Sequence, residues 1–126
     1  MDEPDSDDAS LWQRYDRAGT PISAERFVEL ARQPGYRFIR RTSLLDAADP
    51  HRTFRITTVW IGAVARTPGD GPPQIFETMV FGPDHHPFRP LHGRKYGTEP
   101  DAMIGHHEAA GKLATQLIDP VRVDLD

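Results

Sequence analysis

Residues 53–82 read TFRITTVWIGAVARTPGDGPPQIFETMVFG, and the fold turns on how this stretch is divided. Residues 53–66 are rich in β-branched and aromatic side chains, the types that fit a pleated surface, and the run is long for one strand. Thr67-Pro68-Gly69-Asp70-Gly71-Pro72 carries turn chemistry, and residues 74–82 follow as a return strand. The segment is therefore expected to be a β-hairpin. Pairing Arg66 with Pro73 makes opposed residue numbers sum to 139, which sets Glu77 against Gly62 and Met79 against Trp60. Both strands carry apolar residues on both faces. One face is expected to pack on helices, and the other to be covered by a neighbour or a partner.

Outward from the hairpin, residues 36–45 (YRFIRRTSLL) read as a preceding strand. Before it, Ser23 is placed as an N-cap with Glu25 in the first turn. Phe27, Leu30 and Ala31 then form one apolar stripe, so a helix over about 24–33 is expected, stopped by Pro34-Gly35. Downstream, Arg94-Lys95-Tyr96 could add a short fourth strand. Thr98 caps a second helix with Pro100 and two acids in its first turn. Met103, Ala110, Leu113, Ala114, Leu117 and Ile118 give it a buried stripe over 99–119, and Asp119-Pro120 ends it. The reading is an α+β fold: a three- or four-stranded antiparallel sheet with an N-terminal and a C-terminal helix, in the order α-β-β-β-(β)-α, both helices able to pack on one sheet face.

The chain has 126 residues, 37% hydrophobic and 27% charged, with no cysteine. That suits one domain and excludes a disulfide-stapled fold and thiolate chemistry. No apolar run approaches the roughly 20 residues of a membrane span, and the N-terminus is acidic where a leader would be basic and apolar. A soluble, cytoplasmic protein is expected. The formal charge of −4 is uneven: Asp2, Glu3, Asp5, Asp7 and Asp8 leave 15 basic against 14 acidic residues, +1, for the rest. Residues 1–14 are expected to be a disordered acidic tail, 15–119 a single α+β domain, and 120–126 a C-terminal tail or edge strand.

Several strings are distinctive in their order. They are Tyr15-Asp16-Arg17-Ala18-Gly19-Thr20-Pro21-Ile22, Thr58-Val59-Trp60-Ile61-Gly62, Phe76-Glu77-Thr78-Met79-Val80-Phe81, and Arg94-Lys95-Tyr96 with Thr98, Glu99, Ala102, Gly105 and His106. From residue 15 onward the chain resembles an uncharacterised family of small actinobacterial and actinobacteriophage proteins with a TVWLG … FETMVF … RYxTxxEAxxGH pattern. It departs at Thr57, where the family usually has Ser, after Gly62, where an Asp-His often follows, and in the loop holding His85, His86 and His92. The resemblance implies one domain and a phage or prophage setting. It implies no catalytic residue.

Glu77 is the residue that most invites a site, being a carboxylate mid-strand in an apolar run. Beside Gly62 and Trp60 it would line a small shelf where burial would raise its pKa toward general acid or base duty. On an exposed face it would instead meet water or pair with Arg40 or Arg41. The six histidines include the pairs His85-His86 and His106-His107. A zinc site would need three or four converging ligands, and no H-x-x-x-H or H-E-x-x-H spacing is present. The alternative is one helical imidazole hydrogen-bonded at the helix–sheet interface and the other in water. No phosphate loop or nucleophile elbow occurs, so no catalytic residue, metal or cofactor is assigned. The candidate ligand-binding residues are Trp60, Glu77, Met79 and His106. The expected function is a small binding or accessory protein acting through a sheet face and the histidine-rich loop, toward a protein partner or a second copy rather than nucleic acid or membrane. Two alternatives stand beside it: a nucleic-acid module, since helix–three strands–helix is also the order of double-stranded-RNA-binding domains, and a small His/Glu metal-dependent enzyme.

Overall fold

A computed structural model describes residues 12–65, 71–83 and 92–125, with His92 described by its backbone alone. The acidic leader before Trp12, the turn residues 67–70, and His85 and His86 lie outside the described residues. In chain order the elements are strands β1 (Trp12–Tyr15) and β2 (Pro21–Ile22), helices α1 (Ala24–Ala31) and α2 (Pro34–Arg37), strands β3 (Phe38–Leu45), β4 (Thr53–Trp60), β5 (Ala63–Ala65), β6 (Phe76–Phe81) and β7 (His92–Tyr96), helix α3 (Glu99–Ala114), and strand β8 (Val121–Leu125). They form a five-stranded antiparallel sheet in the order β7-β6-β4-β3-β8 and a three-stranded one in the order β2-β1-β5. The fold is α+β. Its principal sheet has five strands where three or four were expected, and strands precede the first helix. β1 opens at Trp12, because its partners lie in β2 and, some fifty positions on, in β5.

The run 53–66 is not one strand. β4 stops at Trp60, and Gly62 adopts φ +68°, a conformation L side chains rarely take. A Cβ there would overlap the Trp60 indole. Ile61 and Gly62 both donate their backbone N–H to the Ile75 carbonyl (2.8 and 3.2 Å), and the chain then leaves for the smaller sheet as β5. The hairpin therefore pairs in a different register from the expected one. Trp60 faces Phe76, Val59 faces Glu77 and Thr57 faces Met79, a sum of 136 rather than 139. A slip of three residues reverses which side chains share a face, since strand periodicity is two.

The caps behave as their chemistry requires. Ser23 Oγ accepts from the Arg26 N–H (3.1 Å), and Thr98 Oγ1 accepts from the Asp101 N–H (3.2 Å). Pro34 does not simply end α1. It sits in the first turn of α2, so Tyr36 and Arg37 are helical and β3 begins at Phe38. α3 stops at Ala114, short of the expected 119, where the Thr115 hydroxyl bonds back to the Lys112 carbonyl (2.7 Å). Leu117 remains buried in the turn that follows. Buried Asp46 ties that turn to the β3–β4 loop: its Oδ1 accepts from the Ala48 and Asp49 N–H groups and its Oδ2 from that of Ile118. Burial alone would raise this carboxyl. The backbone donors and Arg52 outweigh that and hold it below its ordinary value.

α3 lies across one face of the five-stranded sheet, with apolar clusters under both of its ends. Toward its C-terminus Ala110 and Leu113 meet Leu44, Phe54, Ile56 and Val80. Toward its N-terminus Ala102 joins Leu30, Trp60, Ile75 and Phe76, with α1 and the small sheet closing over them. Arg17 fastens the β1–β2 loop to the start of α3 by a two-pronged ion pair with Glu99 (2.9 and 2.7 Å).

Candidate functional site

The four candidate residues fall on opposite faces of the sheet. Trp60 and His106 lie on the face that α3 covers, 3% and 0% exposed. Glu77 and Met79, at the alternate positions of β6, lie half-buried on the other face. Glu77 therefore lines no shelf with Trp60 or Gly62, and it does not converge with His106. Trp60 is a packing centre. Its ring meets Tyr36 edge-on at 4.9 Å and Phe27 at 5.2 Å, and its indole N–H donates to the Tyr15 carbonyl (3.0 Å).

Between the two apolar clusters runs a polar band. Thr42, Thr58 and Thr78, on adjacent strands β3, β4 and β6, all project under α3 and are nearly inaccessible. His106 stands above them. Its Nε2 is 2.8 Å from Thr42 Oγ1 and its Nδ1 2.7 Å from Thr58 Oγ1. Thr58 Oγ1 is 2.6 Å from Thr78 Oγ1. Thr42 donates its single hydroxyl proton to Asp124 Oδ1 on β8 (2.6 Å). That contact orients the chain of hydrogen bonds, because a carboxylate can only accept. With its proton committed, Thr42 must accept from Nε2–H. The neutral ring then accepts at Nδ1 from Thr58, which accepts in turn from Thr78. Every proton from Thr78 to Asp124 has one consistent place.

Charge at the two ends supports this polarity. Burial pushes the His106 imidazole down to about 4, helped by neighbouring His107, Arg122 and Arg40 and opposed by Asp124. Asp124 is held well below the usual carboxylate range, first by the Thr42 hydroxyl and then by Arg122 and Arg40. Those two arginines ion-pair with it at 3.1 Å each, so Arg40 is directed to Asp124 rather than to Glu77. His107, the next residue round the helix, is exposed and meets Arg122 through its Nδ1 (2.9 Å). Of the two histidine readings, the structure shows a helix–sheet imidazole with both ring nitrogens already engaged. Among the described residues no three His, Asp or Glu side chains gather as a metal site would require.

The Thr78 end of the band opens on a groove of about 390 Å³ between α3 and the β6–β7 edge. Arg94 and Lys112 stand on opposite walls, with Glu108 and the Tyr96 ring beside them. Arg94 lies over that ring at 5.4 Å, and Gly105 lets the Tyr96 hydroxyl press against the helix backbone where a Cβ would collide.

The far face of the sheet is different in kind. Its apolar residues belong to neither of the core clusters under α3. Leu45, Val59, Met79 and Phe81 lie half-buried there, with Arg55 stacked over Phe81 at 5.6 Å and Glu77 opposite Lys95 in the ladder. The Glu77 carboxylate leans over Gly93, where a Cβ would come within 3.0 Å of it. Sequence reading missed Thr42, Thr58, Thr78 and Asp124. The available signal was that Thr58 and Thr78 share parity with the apolar residues Ile56 and Val80.

No family model matches the chain, and neither a curated protein nor a solved structure matches it. No helix among the described residues is long and apolar enough to cross a membrane.

Proposed function

We propose that this chain is a small binding or accessory protein, in the phage- or prophage-related setting its resemblance implies, which engages a protein partner through the sheet face opposite α3. The supporting observation is the asymmetry of the five-stranded sheet. One face is sealed by α3. The other carries Val59, Met79 and Phe81 beside Arg55 and Lys95, with Glu77 the acid among them. Apolar surface rimmed by charge is the composition of a docking surface. The excess of cations suits a partner whose apolar patch is flanked by carboxylates. The histidine-rich segment enters by chain order alone, lying between β6 and β7 in the sequence and outside the described residues.

The test is retention of a partner by wild-type and variant baits from a lysate of the source organism. A protein held by the wild type and by Lys112→Ala, in the groove on the opposite face, but lost with Met79→Glu and Phe81→Glu, supports the reading. Equal retention by all four baits overturns it. Nuclease-sensitive retention would move the assignment to nucleic acid.

A further inference from the structure

β8 ends the five-stranded sheet, and among the described residues nothing pairs with its outer side. All five of its residues are exposed, and Val121, Val123 and Leu125 remain 51%, 42% and 47% accessible. Edge strands in natural proteins are commonly blunted by charged side chains, Lys above all, by Pro or by a bulge, because their free N–H and C=O groups invite another strand. Val121–Leu125, VRVDL, has no Lys, Pro or bulge, and its register with β3 runs without a shift. Its two charges, Arg122 and Asp124, are of opposite sign and pair with each other.

The segment is also complementary to itself. Run antiparallel to a copy about Val123, it sets Val121 against Leu125, Val123 against Val123, and Arg122 against Asp124 twice over. Slipping the pairing by two residues in either direction puts Arg122 against Arg122 or Asp124 against Asp124, which like-charge repulsion disfavours. Slipping it by one residue sets apolar positions against charged ones and mismatches the two faces. Among these registers only the centred one satisfies both faces.

We propose that two copies of this chain join edge to edge through β8, centred on Val123, to form a continuous ten-stranded antiparallel sheet. Val121, Val123 and Leu125 share the face of Arg41, Ser43 and Leu45, so the union extends the uncovered face across the two-fold axis. Arg122 and Asp124 project on the α3 side. There Arg122 meets His107, and Ile104, one turn earlier on the same flank of α3, is 58% exposed. The inference goes beyond the partner reading above and does not depend on it.

The absence of cysteine makes the test specific to the register. Val123→Cys supplies the only thiol and places it on the two-fold axis, opposite itself. Val121→Cys stands about 14 Å from its counterpart, at roughly 3.4 Å per residue. After mild oxidation, non-reducing electrophoresis should show most of Val123→Cys as a covalent dimer and Val121→Cys as monomer at the same concentration. Light scattering should give the wild type twice its 14.2 kDa chain mass, and Val123→Lys the single mass with an unchanged circular dichroism spectrum. Equal cross-linking of the two cysteine variants, cross-linking of neither, or a wild type that stays at 14.2 kDa overturns the proposal. Because these readouts involve no outside partner, their failure is distinct from failure of the docking reading.

Discussion

Lowering the pH should destabilise this protein through His106 before its carboxylates are involved. The unfolded imidazole titrates near 6.5 and the folded one near 4, so between these values the unfolded chain takes up a proton that the folded chain refuses. The contribution is fully present above the unfolded value, falls as pH drops from about 6.5 to about 4, and changes no further below that. The separation of the two values corresponds to roughly 3 kcal/mol at most, of which about 2 kcal/mol is lost by pH 5. Against a typical stability of about 5–15 kcal/mol, that is a large fraction. The groups facing the ring are the Thr42 and Thr58 hydroxyls, His107 on its own helix, Arg40 on β3, and Arg122 and Asp124 on β8. Asp124 and Asp46, whose folded values lie below their unfolded ones, withdraw their stabilisation at lower pH, as the solution falls through the ordinary carboxylate range. Urea unfolding at pH 7, 6 and 5 measures the effect, with His106→Gln as the control whose profile over that interval should be flatter. A wild type equally stable at pH 7 and 5, or a His106 ring proton resonance titrating at or above 6.5, would refute the assignment of a neutral, fully engaged imidazole.

Two further substitutions test the fold around it. Thr58→Val leaves both the Nδ1 of His106 and the Thr78 hydroxyl without a partner, each buried, and should cost about 2–4 kcal/mol in thermal or urea unfolding. Thr78→Val, at the end of the band, should cost clearly less, and equal losses would contradict the hydrogen-bond order derived above. Gly62→Ala forces a side chain into φ +68° and against the Trp60 indole. It should lower stability by more than about 1 kcal/mol and shift tryptophan emission to the red, while unchanged stability and emission would remove Gly62 as the divider of β4 and β5.

Local chemistry made much of this architecture readable in advance. The Ser23 and Thr98 caps, the burial of Ala110 and Leu113 on α3 and the β-branched character of β3, β4 and β6 depend on neighbours within a few residues. Each could be seen without knowing the fold. Ile118, expected in the same stripe, lies beyond the helix end and is exposed. The site was less legible. Glu77 drew attention as a carboxylate among apolar residues, yet its face depends on register. Register was decided by Gly62, where the chain turns out of one sheet into another. Thr58 and Thr78 read as ordinary strand formers, and Asp124 as part of a tail. Their convergence under His106 joins segments separated by 20 to 82 positions.

The sequence by itself determined an α+β chain without thiols, its net negative charge owed to the first ten residues, with helices begun by Ser23 and Thr98 and a strand-rich middle. Those properties follow from composition and from interactions a few residues long. Only the tertiary structure decided that Glu77 and His106 stand on opposite faces, that the one acid of VRVDL completes a buried hydrogen-bond chain, and that the same segment leaves its outer edge unpaired among the described residues. The reason is that strand pairing is non-local. A slip of three positions leaves every local preference satisfied while exchanging the side chains that meet α3 for those on the opposite face.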